Sequence, residues 1–296
     1  MKINIIVDQN NIDSNTDSNI LSFMFRKIKH KTDIKMINVN NFKCDKASIN
    51  IFCSTFNNIL LSYAKTNILI PSQTTFSKEW LKYIHNIDYI FCKTRYIETL
   101  FQNHVPNHKL KYVNWRSTDM KNSQTKNFNK YLLYCCDMEH TDYKKIIDNW
   151  DSTYPQLNIL NGYLIREKKQ QDNLVYHDQT EFQNIFNECG IHLCLSKTDN
   201  FSHIINQTCL VKSIPVLINA QPMNEIVNDE IAFLINSNKK TKLKKGMGNK
   251  YDYDVDELHY MVNKIKNTSE VNLNIMSEDA RKFALRNQAM NDDLFK

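Results

Sequence analysis

Residues 190–227 read GIHLCLSKTDNFSHIINQTCLVKSIPVLINAQPMNEIV. The stretch opens with an apolar run, 191–195, of the kind a strand buried on both faces requires. A polar loop, 196–202, comes next. Apolar residues then return at helical spacing from 203 to 210, and 214–218 is again a strand-like run. Strand, loop, helix, strand is the unit from which parallel sheets are built. In that unit the helix presents its N-terminal amides where the strand ends, a setting that suits phosphate. Many α/β proteins carry the same junction without a ligand, so the pattern alone does not assign one.

The same rhythm extends to both sides. Residues 3–7, 34–39, 49–53, 68–70, 89–92 and 110–113 read as strands, and 20–28, 80–84 and 96–101 have helical spacing. The polar stretch 119–129, DMKNSQTKNFN, interrupts the alternation and reads as a linker. Beyond it the alternation restarts. Residues 131–136, 157–160, 174–176 and 231–235 read as strands, and 142–150 and 180–186 as helices. Residues 255–265 and 277–287 read as closing helices, the second starting at Ser277. Two restarts predict two α/β domains, each a doubly wound parallel sheet, facing a central cleft. The expected division is 1–122, 123–270, and a C-terminal helix in 271–296 that packs back on the first domain.

Composition narrows the class. The 296 residues, 42% hydrophobic and 24% charged, support an ordinary globular core. Only 4 are glycine, while Asn, Lys and Ile are abundant, which reads as the bias of an AT-rich genome such as a virus or protist. The net charge of +6 comes largely from Lys239, Lys240, Lys242, Lys244 and Lys245, so no general nucleic-acid surface is expected. No apolar run is long enough for a membrane span, and residues 1–8 are too short for a signal peptide. The eight cysteines lack a C-x-x-C pair, so no zinc site is expected, and several sit in apolar runs as small hydrophobes. These features predict a reduced, cytoplasmic protein without a metal. No G-x-G-x-x-G or P-loop run is present, which argues against other nucleotide-binding α/β classes.

The quoted stretch resembles the donor-binding motif of family-4 glycosyltransferases of the GT-B fold, which read Ser-x-x-Glu-Gly-Phe-Gly, often His, then three residues and Glu-Ala. The matching residues are Ser196, Lys197, Thr198, Asp199, Asn200, Phe201, Ser202 and His203, then Gln207 and Thr208, without a gap. Residues 88–100 (DYIFCKTRYIETL), 114–119 (NWRSTD), 222–225 (PMNE) and the basic loop 240–248 are similar to other segments of the family. The resemblance implies the GT-B fold and a retaining sugar transfer from a nucleotide sugar to a glycan, protein or small-molecule acceptor. The nucleotide sugar would be substrate, with no further cofactor. It further implies Asp199 beside the transferred sugar, Gln207 at the nucleotide ribose, and Ser196, Asn200, Phe201, Ser202, His203 and Thr208 around the donor.

The sequence departs from this pattern at several places. The two motif acids are Asp199, one methylene shorter, and Gln207, uncharged. The two motif glycines are Asn200, a residue that tolerates the left-handed region, and Ser202. Where the family places a basic pair for the pyrophosphate, this chain has Asp137 and Thr141. Lys144, Arg166 and Lys244 are the candidates to replace it. Asp8-Gln9-Asn10-Asn11 stands in place of a glycine-rich loop after the first strand. These departures keep a second expectation open, a catalytically inactive homologue that serves as a binding or scaffold module. His192, inside an apolar run, reads as a packed histidine, and Trp80, Trp115 and Trp150 as core residues.

Overall fold

The computed structural model describes residues 1–28, 32–41, 43–134, 140–160 and 168–290. The chain forms two compact units. One comprises Met1–Arg116, Lys242–Asn249 and Asn287–Lys296, the other Ser117–Thr241 and Lys250–Arg286.

In the first unit the strands are β1 (Lys2–Val7), β2 (Asp33–Asn38), β3 (Ala47–Cys53), β4 (Ala64–Ile70), β5 (Tyr89–Cys92) and β6 (Leu110–Tyr112), with helices α1 (Ile12–Ile28) and α2 (Arg95–Phe101). The sheet is parallel throughout, in the order β2-β1-β3-β4-β5-β6. Strand ends such as Ile51-Phe52-Cys53 and Ile68-Leu69-Ile70 are buried on both faces, as expected for a parallel sheet covered by helices. Residues 80–84, expected as a helix, fall within a 3₁₀ segment, Lys78–Asn86, which sets Trp80 against Phe56 and Phe76.

A row of asparagines crosses this sheet. Asn4 stands opposite Asn50, and Asn50 opposite Asn67. Asn4 donates to Asn50 Oδ1 at 3.0 Å, and Asn50 donates to Asn67 Oδ1 at 3.1 Å and to the Leu60 carbonyl at 2.7 Å. Asn67 closes the row on the Leu61 carbonyl. All three asparagines are buried. Each amide satisfies its neighbour, so the row is tolerated in the core and penalises any slipped register.

The second unit holds β7 (Asn127–Tyr134), α3 (His140–Asp148), β8 (Gln156–Leu160), β9 (Leu174–His177), α4 (Phe182–Glu188), β10 (Cys189–Cys194), α5 (His203–Leu210), β11 (Ile214–Ile218), α6 (Met223–Ile226), β12 (Phe233–Ile235), α7 (Val255–Lys266) and α8 (Glu270–Met290). Its sheet, also parallel, runs β12-β11-β10-β7-β8-β9. Strands β13 (Lys239–Lys242) and β14 (Asn249–Asp252) form a separate two-stranded ribbon. Gly190 lies where β10 passes closest to β7. A Cβ there would fall 2.8 Å from the Phe128 Cα and 2.9 Å from the Asn127 carbonyl, beside a register shift between Cys189 and Ile191.

Two boundaries differ from the sequence reading. Strand β7 begins at Asn127, inside the stretch read as a linker, with Phe128 buried while Asn127 and Asn129 stay exposed at the sheet's end. Helix α8 begins at Glu270 and runs through Ser277. Ser277, expected to start the helix, instead donates its hydroxyl to the Lys212 carbonyl at 2.7 Å.

Candidate functional site

The order of the second sheet places a topological switch point between β7 and β10. The chain moves outward from β7 through β8 to β9, then returns to the other side of β7 with β10. Ligands of open α/β sheets bind at the carboxyl ends of the strands flanking such a point. Here those ends lead into residues 135–139, which lie outside the described residues, and into loop 195–202, which runs from β10 to α5. The stretch singled out by sequence thus stands at the topologically favoured position.

The loop is built by Asp199 and Ser202. Asp199 Oδ1 accepts from the backbone N–H of Asn200 at 2.6 Å and of Ser202 at 2.8 Å. That carboxylate therefore shapes the turn ahead of α5. Ser202 takes φ +49°, ψ +74° at the helix entrance, and its carbonyl accepts from Ile205 and Asn206 N–H. The left-handed conformation thus falls on Ser202, at the second motif glycine position, and not on Asn200. Ser196 Oγ donates to the Thr198 carbonyl at 2.7 Å. Two hydroxyls in this turn, Thr198 Oγ1 and Ser202 Oγ, are buried with no hydrogen-bond partner among the described residues. Buried hydroxyls that lack a partner cost about 1–3 kcal/mol each, so their pairing in one turn is a feature to explain.

Lys197, between Ser196 and Thr198, is held on the loop's other side. Its ammonium lies 2.8 Å from Asp142 and 3.1 Å from Asp252, and its carbonyl accepts from Tyr251 N–H. Burial pulls the Lys197 pKa down, but hydrogen bonds and charge from the two carboxylates outweigh it and leave the net shift upward. Asp252 also meets Lys145 at 3.4 Å. This network, which sequence reasoning missed, fastens the loop to α3 and β14. Its only sequence trace is an acid in the first turn of α3, a common helix-start feature.

His203, the first residue of α5, has its Nδ1 3.0 Å from Ser117 Oγ, and Phe201 meets its ring edge-on at 5.3 Å. Ser117 is buried. It lies within the NWRSTD segment quoted above but was not singled out there. Gln207 is half-buried on the next turn. Thr208 is fully buried beneath the helix, with its hydroxyl 2.9 Å from His192 Nδ1, which seats it against the sheet. His192 is the packed histidine expected, edge-on to Phe186 at 4.5 Å. Burial, then the nearby Lys126, hold its pKa well below the usual imidazole value.

Lys144 pairs with Asp148 one turn along α3, at 2.9 Å. Lys244 is exposed at the tip of the ribbon, in the segment that belongs to the first unit. There Gly246, at φ +86°, would carry a Cβ 2.2 Å from the Gln73 carbonyl, which explains a glycine in so glycine-poor a chain. Arg166 lies outside the described residues, as does Asp137. Among the described residues no cluster of His, Cys, Asp or Glu could hold a metal ion, and no helix is long and apolar enough to cross a membrane.

No family model matches the chain, and no curated protein matches it. Solved structures do. HepE from Anabaena, crystallised with UDP and glucose, superposes with a TM-score of 0.71 at 10% identity, covering 100% of this chain and 98% of its own. A glycosyltransferase from Rickettsia africae gives 0.72 at 11% identity, covering 98% and 95%. The pneumococcal O-GlcNAc transferase GtfA, in complex with UDP and GlcNAc, gives 0.64 at 13% identity, with 85% of this chain spanning 56% of that one. Two parallel six-stranded sheets of doubly wound topology, matched over essentially the whole chain, give this protein the GT-B glycosyltransferase fold.

Proposed function

We propose that loop 196–202 and the N-terminus of α5 receive the diphosphate of a nucleotide sugar, and that the chain transfers that sugar to an acceptor. The observation that carries this reading is the pair of buried, unpartnered hydroxyls of Thr198 and Ser202, set at the sheet's switch point just ahead of a helix N-terminus. Hydroxyls and first-turn amides are donors that suit phosphate oxygens. Crystals of HepE and GtfA contain UDP, which makes uridine diphosphate the first ligand to test.

In this reading His203, oriented by Ser117, and Gln207 border the donor, while Asp199 acts first as the scaffold of the turn. Retention of anomeric configuration is the outcome expected from the motif resemblance.

A second reading, a donor-binding module without transfer, is favoured by a specific observation. Lys197 is neutralised by two carboxylates and Lys144 by Asp148, so neither is available to a departing diphosphate.

Calorimetric titration with UDP and GDP, followed by assays for donor hydrolysis and transfer, separates the readings. Absence of binding by both diphosphates at roughly millimolar concentration overturns the site. Binding that weakens in Thr198→Val, without turnover, selects the module. Turnover selects the enzyme, and the anomer formed decides retention.

A further inference from the structure

At the opposite, N-terminal edge of the second unit's sheet lies a cavity of about 500 Å³. It is lined by the start of β7, by Pro155 ahead of β8 and by the turn from α7 into α8. Volumes of this size accept small organic ligands. Its walls mix Phe128, Pro155 and Leu273 with Lys126, Tyr131 and Glu188. β10 begins level with Asn127 at this edge and runs away from it toward loop 195–202. The strand's six residues put this cavity roughly 20 Å from the nucleotide site proposed above.

Lys126 is held without a counter-ion among the described residues. Its Nζ donates to the Asn187 carbonyl and, at 2.8 Å, to Ser213 Oγ. Both partners are uncharged, and no carboxylate pairs with it. A neutral amine has two N–H donors and one lone pair, whereas an ammonium has three donors. Two neutral partners therefore satisfy the amine and leave its lone pair for an electrophile. Burial, with the charge of Lys121 acting in the same direction and Cys189 against it, brings the Lys126 pKa down to about 7. Of the wall's other charged residues two are engaged, and the third, Glu270, adds a carboxylate at the α8 end of the cavity. Glu188 is paired with Lys130, and Lys266 donates to the Thr153 carbonyl. The hydroxyl of Tyr131, fully buried, has no partner. What the cavity offers a guest is apolar wall, the Lys126 amine and the Glu270 carboxylate, which repels anions, so the site suits a small, neutral, carbonyl-bearing molecule.

We propose that Lys126 is a nucleophilic amine that forms a reversible Schiff base with small neutral aldehydes admitted to this cavity. The Nζ lone pair adds to the carbonyl carbon while the C=O π pair moves to oxygen, which takes one N–H proton to give the carbinolamine. The hydroxyl then leaves with the second N–H proton as water, forming the C=N bond. Amine and aldehyde become imine and water, and no oxidant or reductant is consumed. The adduct surrenders both N–H donors, so it unties Lys126 from α4 and from the start of β11.

Reductive trapping tests this on the native full-length chain. The protein is incubated with benzaldehyde and a small excess of cyanoborohydride near neutral pH, and labelled lysines are located by peptide mass spectrometry over time. Lys126 is expected to be labelled at least about tenfold faster than exposed Lys121 and Lys239. Excess benzyl alcohol, which matches the shape but cannot condense, should protect Lys126 and leave Lys121 unaffected. Labelling of Lys126 no faster than Lys121 overturns the nucleophile. Fast labelling that benzyl alcohol does not slow overturns the cavity as its route. Neither result depends on whether UDP binds.

Discussion

The ammonium of Lys93 lies 2.7 Å from the carboxylate of Asp17, and both side chains are wholly shielded from solvent. The other oxygen of Asp17 accepts from the indole N–H of Trp115 at 2.7 Å. One carboxylate thus joins α1, the end of β5 and the segment after β6. Burial opposes the charge on Lys93, but Asp17 more than compensates and raises the lysine's pKa. Removing one member leaves the other charged and buried. Lys93→Met should destabilise the protein by about 3–5 kcal/mol in urea unfolding, and adding Asp17→Leu should recover part of that loss. A double variant no better than the single one would contradict the pairing.

The asparagine row makes a related prediction in uncharged groups. Asn50→Leu strands the Asn67 side-chain oxygen and the Leu60 carbonyl, while the Asn4 amide keeps the Asp45 carbonyl and Cys44 Sγ. The expected cost is on the order of 3 kcal/mol by denaturant titration. Asn50→Asp should be worse at neutral pH, because it buries a charge with no cation beside it.

Ser202 holds a left-handed conformation that costs a non-glycine residue about 1–2 kcal/mol. Glycine removes that strain but adds unfolded-state freedom worth roughly 0.5–1 kcal/mol. Both Ser202→Gly and Ser202→Ala also remove the buried, unpartnered hydroxyl, so both should raise the melting temperature. Ser202→Ala keeps the strain and should melt about one or two degrees below Ser202→Gly. If UDP binds through this hydroxyl, both variants should weaken it.

The Lys197 cluster predicts a pH dependence. Asp252 is held below its ordinary pKa: burial raises it, and hydrogen bonds and charge from Lys197 lower it further. Its stabilisation is present above the unfolded carboxylate pKa and is lost as pH falls through the folded one. In Lys197→Met that contribution disappears, and Asp142 and Asp252 lose the cation they share while Asp252 keeps Lys145 at 3.4 Å. The variant should be less stable than wild type at pH 7, with the deficit shrinking as pH falls below the ordinary carboxylate range and Asp252 protonates. A deficit that does not change with pH would remove the ion pairs as its cause.

Lys126 works in the opposite sense. Its folded pKa, about 7, lies well below the unfolded lysine value, so between the two the unfolded chain binds more protons. Stability contributed by this site rises with pH above 7, by at most about 1.4 kcal/mol per pH unit, and its penalty is complete below 7. Lys126→Met should flatten that slope. Lys121, Cys189, Glu188 and His192 surround the amine, so the comparison is between the variant and wild type across the same range.

The alternation of apolar strands with helical spacing was legible along most of the chain, because a strand buried on both faces leaves a continuous apolar run. The loop at 196–202 was legible for the same reason, since residues 191–195 and 214–218 bracket it. Ser277 misled because a serine followed by acids looks like a helix start, and only the neighbouring Lys212 carbonyl shows where its hydroxyl goes. The start of β7 was hidden because Asn127 and Asn129 sit at an exposed sheet end, where polar residues carry no strand signal.

Sequence by itself determined the α/β class, the two-fold restart of the rhythm and the position of the loop at residues 196–202, all of which follow from local periodicity. Tertiary structure alone decided that this loop stands at the switch point between β7 and β10, since strand order is set by long-range pairing. It also decided that Asp199 is spent on the turn, that Ser202 carries the positive φ, and that Lys197 is held by Asp142 and Asp252. The strand order and the Lys197 pairs depend on groups that meet across 55 residues or more, and the Asp199 turn and the Ser202 angle on the path of one short loop, and none of these leaves a pattern in the order of residues.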